Sequence, residues 1–400
     1  MELLAEATAL SDSLTDLRRR LHGCPEVGLQ LPVTQQLLLG ELEGLGLEIT
    51  TGSVLTSITA VLRGGRPGPL VLLRGDMDAL PVVERSGENF APAADSAHAA
   101  AMHACGHDLH MAALVGAVRL LAAHREDLAG DVVFMFQPGE EGFDGAGRML
   151  DEGILTAAGR MVDAAYGLHV FSSWFPNRVF AARPGTLMAA SAGLEVRVVG
   201  AGTHGSSPQR GQDPIPVASE MVTALQTMVT RQFDIFDPVV ITVGSFHSGT
   251  KRNIIPDDAV FEATVRSFSA AAAEAVAGKA VRLCEGIAAA HGLGAEVNFV
   301  HEYPVTVNDE AEYDFVADTA TELFGADRFL AMTDPLSGSE DFSRVLEQVP
   351  GAYVFLGAAT VDGYDTAPSN HSPLAAFDDS VLPDAAAFLA ELAVRRMARG

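Results

Sequence analysis

The sequence predicts an α/β protein carrying a second, inserted α+β body, on three observations. Short, continuously apolar runs such as 70–73 (LVLL) and 132–137 (VVFMFQ) have the character of strands buried on both faces of a sheet. Each runs straight into a loop bearing acids or imidazoles, and stretches with helical spacing separate them. From about 187 to 300 the order becomes strand, helix, strand, strand, helix, strand, the pattern of a ferredoxin-like domain.

Taken in order, residues 2–22 read as one opening helix that stops near Pro25 and Gly28. A second helix covers about 34–45 and closes on Gly44 and Gly46. Strands follow at 57–65 and 70–73, the second ending in RGDMDALP, which places Asp76 and Asp78 at the carboxyl end of a central strand. The grammar repeats: 132–137 runs into Glu140 and Glu141, 164–170 carries His169, and 352–357 precedes a polar loop with Asn370 and His371. Pockets of open α/β sheets lie outside the carboxyl ends of the strands. Asp76, Asp78, Glu140, Glu141 and His169 are therefore expected on one rim. The stretches on either side of 187–300 read as parts of one α/β layer, so the predicted domains are 1–186 with 301–400, and an insertion at 187–300.

Composition narrows the function. The chain has 400 residues, 48% of them hydrophobic, enough for a large core. Its net charge of −26 opposes nucleic acid and anionic membrane as partners. The N-terminus has acids where a signal peptide needs bases, and no apolar run of about 18 residues exists to span a bilayer. Three scattered cysteines argue against a disulfide framework and for a reducing cytoplasm.

The densest chemistry lies in His103-Ala-Cys-Gly-His-Asp-Leu-His110. Cys105 and His107 would diverge on a helix, but Gly106 between them permits a turn that aims both at one point. Residues 109–124 then have helical spacing, so this loop enters a helix N-terminus with Asp108 as the expected cap. A thiolate beside an imidazole is a donor pair for a divalent transition metal. Glu140 and Glu141, if extended, point opposite ways, one toward a metal and the other toward its water. A Glu-Glu pair is ordinarily solvated surface, and His169 alone reads as a core histidine. Together, Cys105, His107, Glu141, His169 and His371 supply five donors, enough for two metal ions if one group or a water bridges them.

Seven segments in order, RRRLHGCPEVG (18–28), LLRGDMDALPVVE (72–84), MHACGHDLHMAALVGA (102–117), FQPGEEGFDGAGRML (136–150), YGLHV (166–170), GSEDFS (338–343) and NHSP (370–373), resemble the amidohydrolase branch of the metallopeptidase family that includes aminoacylases, hippurate hydrolases and auxin-conjugate hydrolases. The resemblance implies a mixed-sheet, aminopeptidase-like catalytic domain with an inserted lid and dimerisation domain, hence a homodimer. It implies hydrolysis of N-acyl amino acids at two divalent ions, zinc or manganese first, with cobalt or nickel also tolerated by the donors. Cys105, His107, Glu141, His169 and His371 would be the ligands, Glu140 the general base and acid, and Asp78 a carboxylate orienting a ligand. In the insertion, THGSSP gives His204 as oxyanion donor, RNIIP gives Asn253 as a partner of the scissile carbonyl, and Arg266 would clamp the amino-acid carboxylate. Relatives usually carry glycine before that histidine and histidine after the following proline, where this chain has Thr203 and Gln209. A dipeptidase or carboxypeptidase could use the same machinery. A non-catalytic binding homologue is the other alternative, disfavoured by the retained Glu140 and five donors.

Overall fold

The computed structural model describes residues 1–399, which divide into two compact units. The first comprises Met1–Leu187, Val307–Asp334 and Asp341–Gly400. The second comprises Met188–Thr306 and Pro335–Glu340, the latter segment joining because Ala189 N–H donates to Leu336 O at 3.0 Å.

The first unit is built on an eight-stranded mixed sheet in the order Glu48–Thr51, Ile58–Leu62, Ala129–Gln137, Arg66–Asp76, Ala164–Phe171, Gly351–Gly357, Phe180–Ala182, Phe329–Ala331. The four strands from Ala129–Gln137 through Gly351–Gly357 run parallel. Asp76 pairs with Gln137, and His169 with Phe355, so the carboxyl ends of these strands form one rim. The apolar runs behave as their composition demands: Leu70 to Leu73 and Val132 to Phe136 are buried throughout.

The helix His107–Ala123 is buried on every side from His107 to Val118, as its near-uniform apolarity requires. It packs on Leu382–Ala398 so closely that a Cβ on Gly116 would come within 2.6 Å of Ala386 Cβ. The expected opening helix is two, Leu3–Ala9 and Ser11–His22, interrupted at Leu10, and the second expected helix is Pro32–Leu42, with Pro32 in its first turn.

The second unit is an antiparallel sheet in the order Val239–Ser248, Asp258–Ser267, Ala190–Val199, Gly294–Tyr303. Two helices cover one face, Pro214–Gln232 capped by Asp213 and Ala270–Ala290 capped by Ser269. Here strands alternate: Leu194, Val196 and Val198 enter the core, while Glu195 and Arg197 face solvent. No helix of the described residues is long and apolar enough to cross a membrane.

Candidate functional site

The site begins at Gly106, which sits at φ 85° as the residue preceding the helix His107–Ala123. An L-residue rarely adopts that conformation, and a Cβ there would lie 2.4 Å from Val170 Cγ2. Glycine therefore lets the loop turn sharply against the neighbouring strand, and Cys105 and His107 converge from its two sides. Asp108 does not cap the helix. Its carboxylate is drawn aside by Arg18 Nε at 2.7 Å and His22 Nδ1 at 2.7 Å, in a buried cluster that also brings Glu84 to His22 Nε2 at 3.1 Å. Burial works against charge on His22, yet Asp108 and Glu84 raise its pKa to about 9.

The sheet rim supplies the rest. Asp78 accepts the backbone N–H of Glu140 at 3.0 Å and of Glu141 at 3.1 Å, and its Oδ1 lies 3.6 Å from His107 Nδ1. One carboxylate thus fixes the acidic pair and faces the imidazole. Glu140 and Glu141 lie in a turn, not on extended backbone, with Gly142 N–H donating to Glu140 O at 2.7 Å. That turn brings both carboxylates toward His107 instead of splaying them. His169 Nδ1 bonds Val170 O at 2.8 Å, so Nε2 keeps its lone pair and faces Cys105 Sγ at 3.4 Å. Burial and the neighbouring His110 hold the His169 pKa well below its ordinary value, which keeps it neutral. His371, at φ 70°, places Nε2 3.2 Å from Glu141 Oε1. Cys105 and Glu141 beside it raise its pKa to about 10.

Two overlapping groups result, Cys105 with His107 and His169, and Cys105 with Glu141 and His371; within each, donor atoms lie within 4.8 Å of one another. A third, His107 with Glu140 and Glu141, overlaps both. All five expected donors and Glu140 are therefore gathered. They suit a divalent ion: among the described residues, both ring nitrogens of His107 are buried without a hydrogen-bond partner. His169 also shows the backbone-carbonyl partner that metal-binding imidazoles ordinarily have. Asp76, His107 and His110 form a further donor group, but its Asp76 and His110 atoms are already committed. Asp76 bonds Arg74 Nη1 at 2.5 Å and His110 Nδ1 at 2.5 Å, while His110 Nε2 accepts Val170 N–H at 2.8 Å.

That network escaped the sequence reading. Arg74 is fully buried and also bonds Gln137 Oε1 at 2.9 Å, Tyr353 Oη at 3.2 Å and Asp341 at 3.2 Å, and Gln137 Nε2 returns to Asp341 at 2.7 Å. Burial alone would raise the Asp76 carboxyl, but Arg74, then His107 and His110, hold it well below the carboxylate range. The available signal was an arginine inside an otherwise apolar strand, which needs a buried anion.

In the second unit, the strands Thr203–His204 and Ile254–Ile255 form a two-stranded ribbon, with His204 opposite Ile254 and Gly205 N–H bonding Asn253 O at 2.9 Å. His204 and Asn253, from separate motifs, are thus neighbours, and both are exposed. His204 Nδ1 accepts from Ser206 Oγ at 2.8 Å. Arg266, half-buried, bonds the Ser191 hydroxyl, which in turn bonds Glu302. Its guanidinium is thereby engaged within its own unit.

A mixed α/β sheet whose rim gathers thiol, imidazoles and paired carboxylates defines a metal-dependent hydrolase of amide or peptide bonds. The comparisons agree. Residues 72–395 match the model of peptidase family M20/M25/M40, and the chain belongs to that family. It is 37% identical to thermostable carboxypeptidase 2 of Saccharolobus solfataricus over 98% of each chain, and 33% identical to the hippurate hydrolase of Campylobacter jejuni over 99% of each. Among solved structures it resembles the YXEP protein of Bacillus subtilis, described as a dinuclear metal binding peptidase of the M20 family. The TM-score is 0.82 and the identity 31%, covering 98% of this chain and 99% of that one.

Proposed function

We propose that this chain hydrolyses N-acyl amino acids to a carboxylic acid and a free amino acid at a site for two divalent ions, zinc or manganese. The observation that carries this reading is the pair of donor groups sharing Cys105, with Glu140 beside them. Cys105, His107, Glu141, His169 and His371 would hold the ions, which when bound supply Lewis acidity and a water of lowered pKa. Glu140 takes the proton of the attacking water and returns it to the departing nitrogen. Asp78 holds Glu140 and Glu141 in register through the bonds described above and faces His107. His204 donates to the carbonyl oxygen as charge develops there, and Asn253 bonds the same carbonyl. Arg266, paired with Ser191 here, would exchange that hydroxyl for the substrate carboxylate. The second unit serves as lid and dimerisation domain, the protein works in the cytoplasm, and its partners are small acylated amino acids and a second copy, not nucleic acid or membrane.

A dipeptidase or carboxypeptidase reading is favoured by one observation, the 37% identity to a carboxypeptidase. Amine release from N-acetyl, N-benzoyl and dipeptide substrates, with zinc or manganese added, separates the two. Cleavage confined to dipeptides would overturn the acyl reading. In the same assay Glu140→Gln is expected to lose about 10²-fold or more in kcat while metal content by elemental analysis stays at the wild-type level. Near-normal turnover would remove Glu140 from the mechanism.

A further inference from the structure

His169 and Phe171 are two apart on the strand Ala164–Phe171, so their side chains leave one face. Their rings lie 5.1 Å apart. Trp174 stacks on Phe171, 5.6 Å away with the planes inclined by 20°. Phe175 and Phe355 meet Phe171 edge-on and fix it laterally.

Trp174 is the sole tryptophan of the chain, yet 52% of it is exposed. Its backbone is at φ 71°, and Phe175 N–H donates to Ser173 O at 2.9 Å. This is the γ-turn with a positive central φ, strained for any bulky residue. The turn persists because its base is tied down. Ser172 N–H and Oγ–H bond Asn370 Oδ1 at 2.9 and 3.0 Å, and Ser172 Oγ also reaches Pro368 O at 2.8 Å. Asn370 directly precedes His371, so the turn presenting the indole is joined to the segment bearing a candidate ligand. Strain of this kind collects where a side chain must be held out for a ligand.

We infer that the exposed indole of Trp174, backed by the buried Phe171, forms an aromatic shelf that receives the acyl group of the substrate and favours flat, aromatic acyl groups. The inference rests on the proposed hydrolysis of N-acyl amino acids. The scissile carbonyl must sit beside His169, and the shelf starts at that ring and leads away from it. Lacking charge, it suits the acyl end and not the carboxylate end of the molecule.

Aromatic pairs contribute beyond their buried area by an amount equivalent to roughly threefold to tenfold in affinity. For the zinc-loaded protein, the ratio of kcat/KM for N-benzoyl over N-acetyl amino acids is therefore expected to fall about tenfold in Trp174→Ala, mostly through KM. Trp174→Phe should recover most of the ratio, which separates a lost shelf from a disturbed fold. In the Glu140→Gln protein, N-benzoyl amino acids should change the emission of this single indole saturably, and N-acetyl ones far less. An unmoved ratio in Trp174→Ala, or equal emission changes with both ligands, would overturn the shelf. If no N-acyl amino acid is cleaved, the functional reading falls, and the emission titration alone decides the shelf.

Discussion

The two candidate halves of the chemistry are held in opposite ways. On the first unit, His107, Asp76 and Arg74 are essentially without exposure, and Asp76 and Arg74 are locked to each other as a buried pair beside the imidazole. On the second unit, His204 and Asn253 stand exposed on a ribbon of two-residue strands, with Ser206 as the nearest partner of the imidazole. Groups that must keep fixed distances benefit from rigidity, since a small misplacement is costly in rate. The oxyanion role proposed for His204 asks only for a donor as charge develops, and light support is enough for that task. The difference predicts that mutations in the first region damage stability and metal retention together, while those in the second damage turnover alone.

The largest effect should come from Arg74→Met, which leaves Asp76 and Asp341 buried without their cation and costs about 3–5 kcal/mol. Chemical denaturation measures the loss, and elemental analysis should show metal falling with it. A stable, fully loaded Arg74→Met protein would break the comparison. His204→Ala should lower kcat roughly 10²–10³-fold, the range for a lost oxyanion donor, with unfolding midpoint and metal content unchanged. A change confined to KM would move His204 from the transition state to ground-state binding.

The His22 cluster sharpens the contrast through pH. Its folded pKa of about 9 exceeds the ordinary 6.5, so its contribution is complete below about 6.5 and disappears as pH rises through 9. The stability gap between wild type and His22→Gln should therefore narrow from pH 6.5 to above 9, by up to about 3 kcal/mol. A constant gap would mean that the imidazole is held neutral. The smallest effect is expected from Ser269→Ala, which removes the hydroxyl accepting Ala272 N–H at 2.9 Å and should cost about 1 kcal/mol in the second unit. Hydrogen exchange should register it there and not in the helix His107–Ala123.

What the sequence made legible follows from locality. Parallel strands end on one side by construction, so the apolar runs located Asp76, Asp78, Glu140, Glu141 and His169 without any knowledge of pairing. The strand and helix order over 187–300 likewise located the second sheet and the two helices that cover it. Contacts distant along the chain were silent. Arg74 meets Asp341 across 267 positions, and Arg18 and His22 divert Asp108 from a capping role that its place before an apolar helix had implied. The Glu140-Glu141 turn was misread as extended because PGEE follows a strand so directly; Pro138 and Gly139 had already ended it.

Gly106 sets the gauge of the whole centre. The span between a sulfur and an imidazole is fixed there by the absence of a side chain, with Val170 pressed into the space. A single inert methyl group at that point would meet Val170 and wedge Cys105 and His107 apart without touching either side chain.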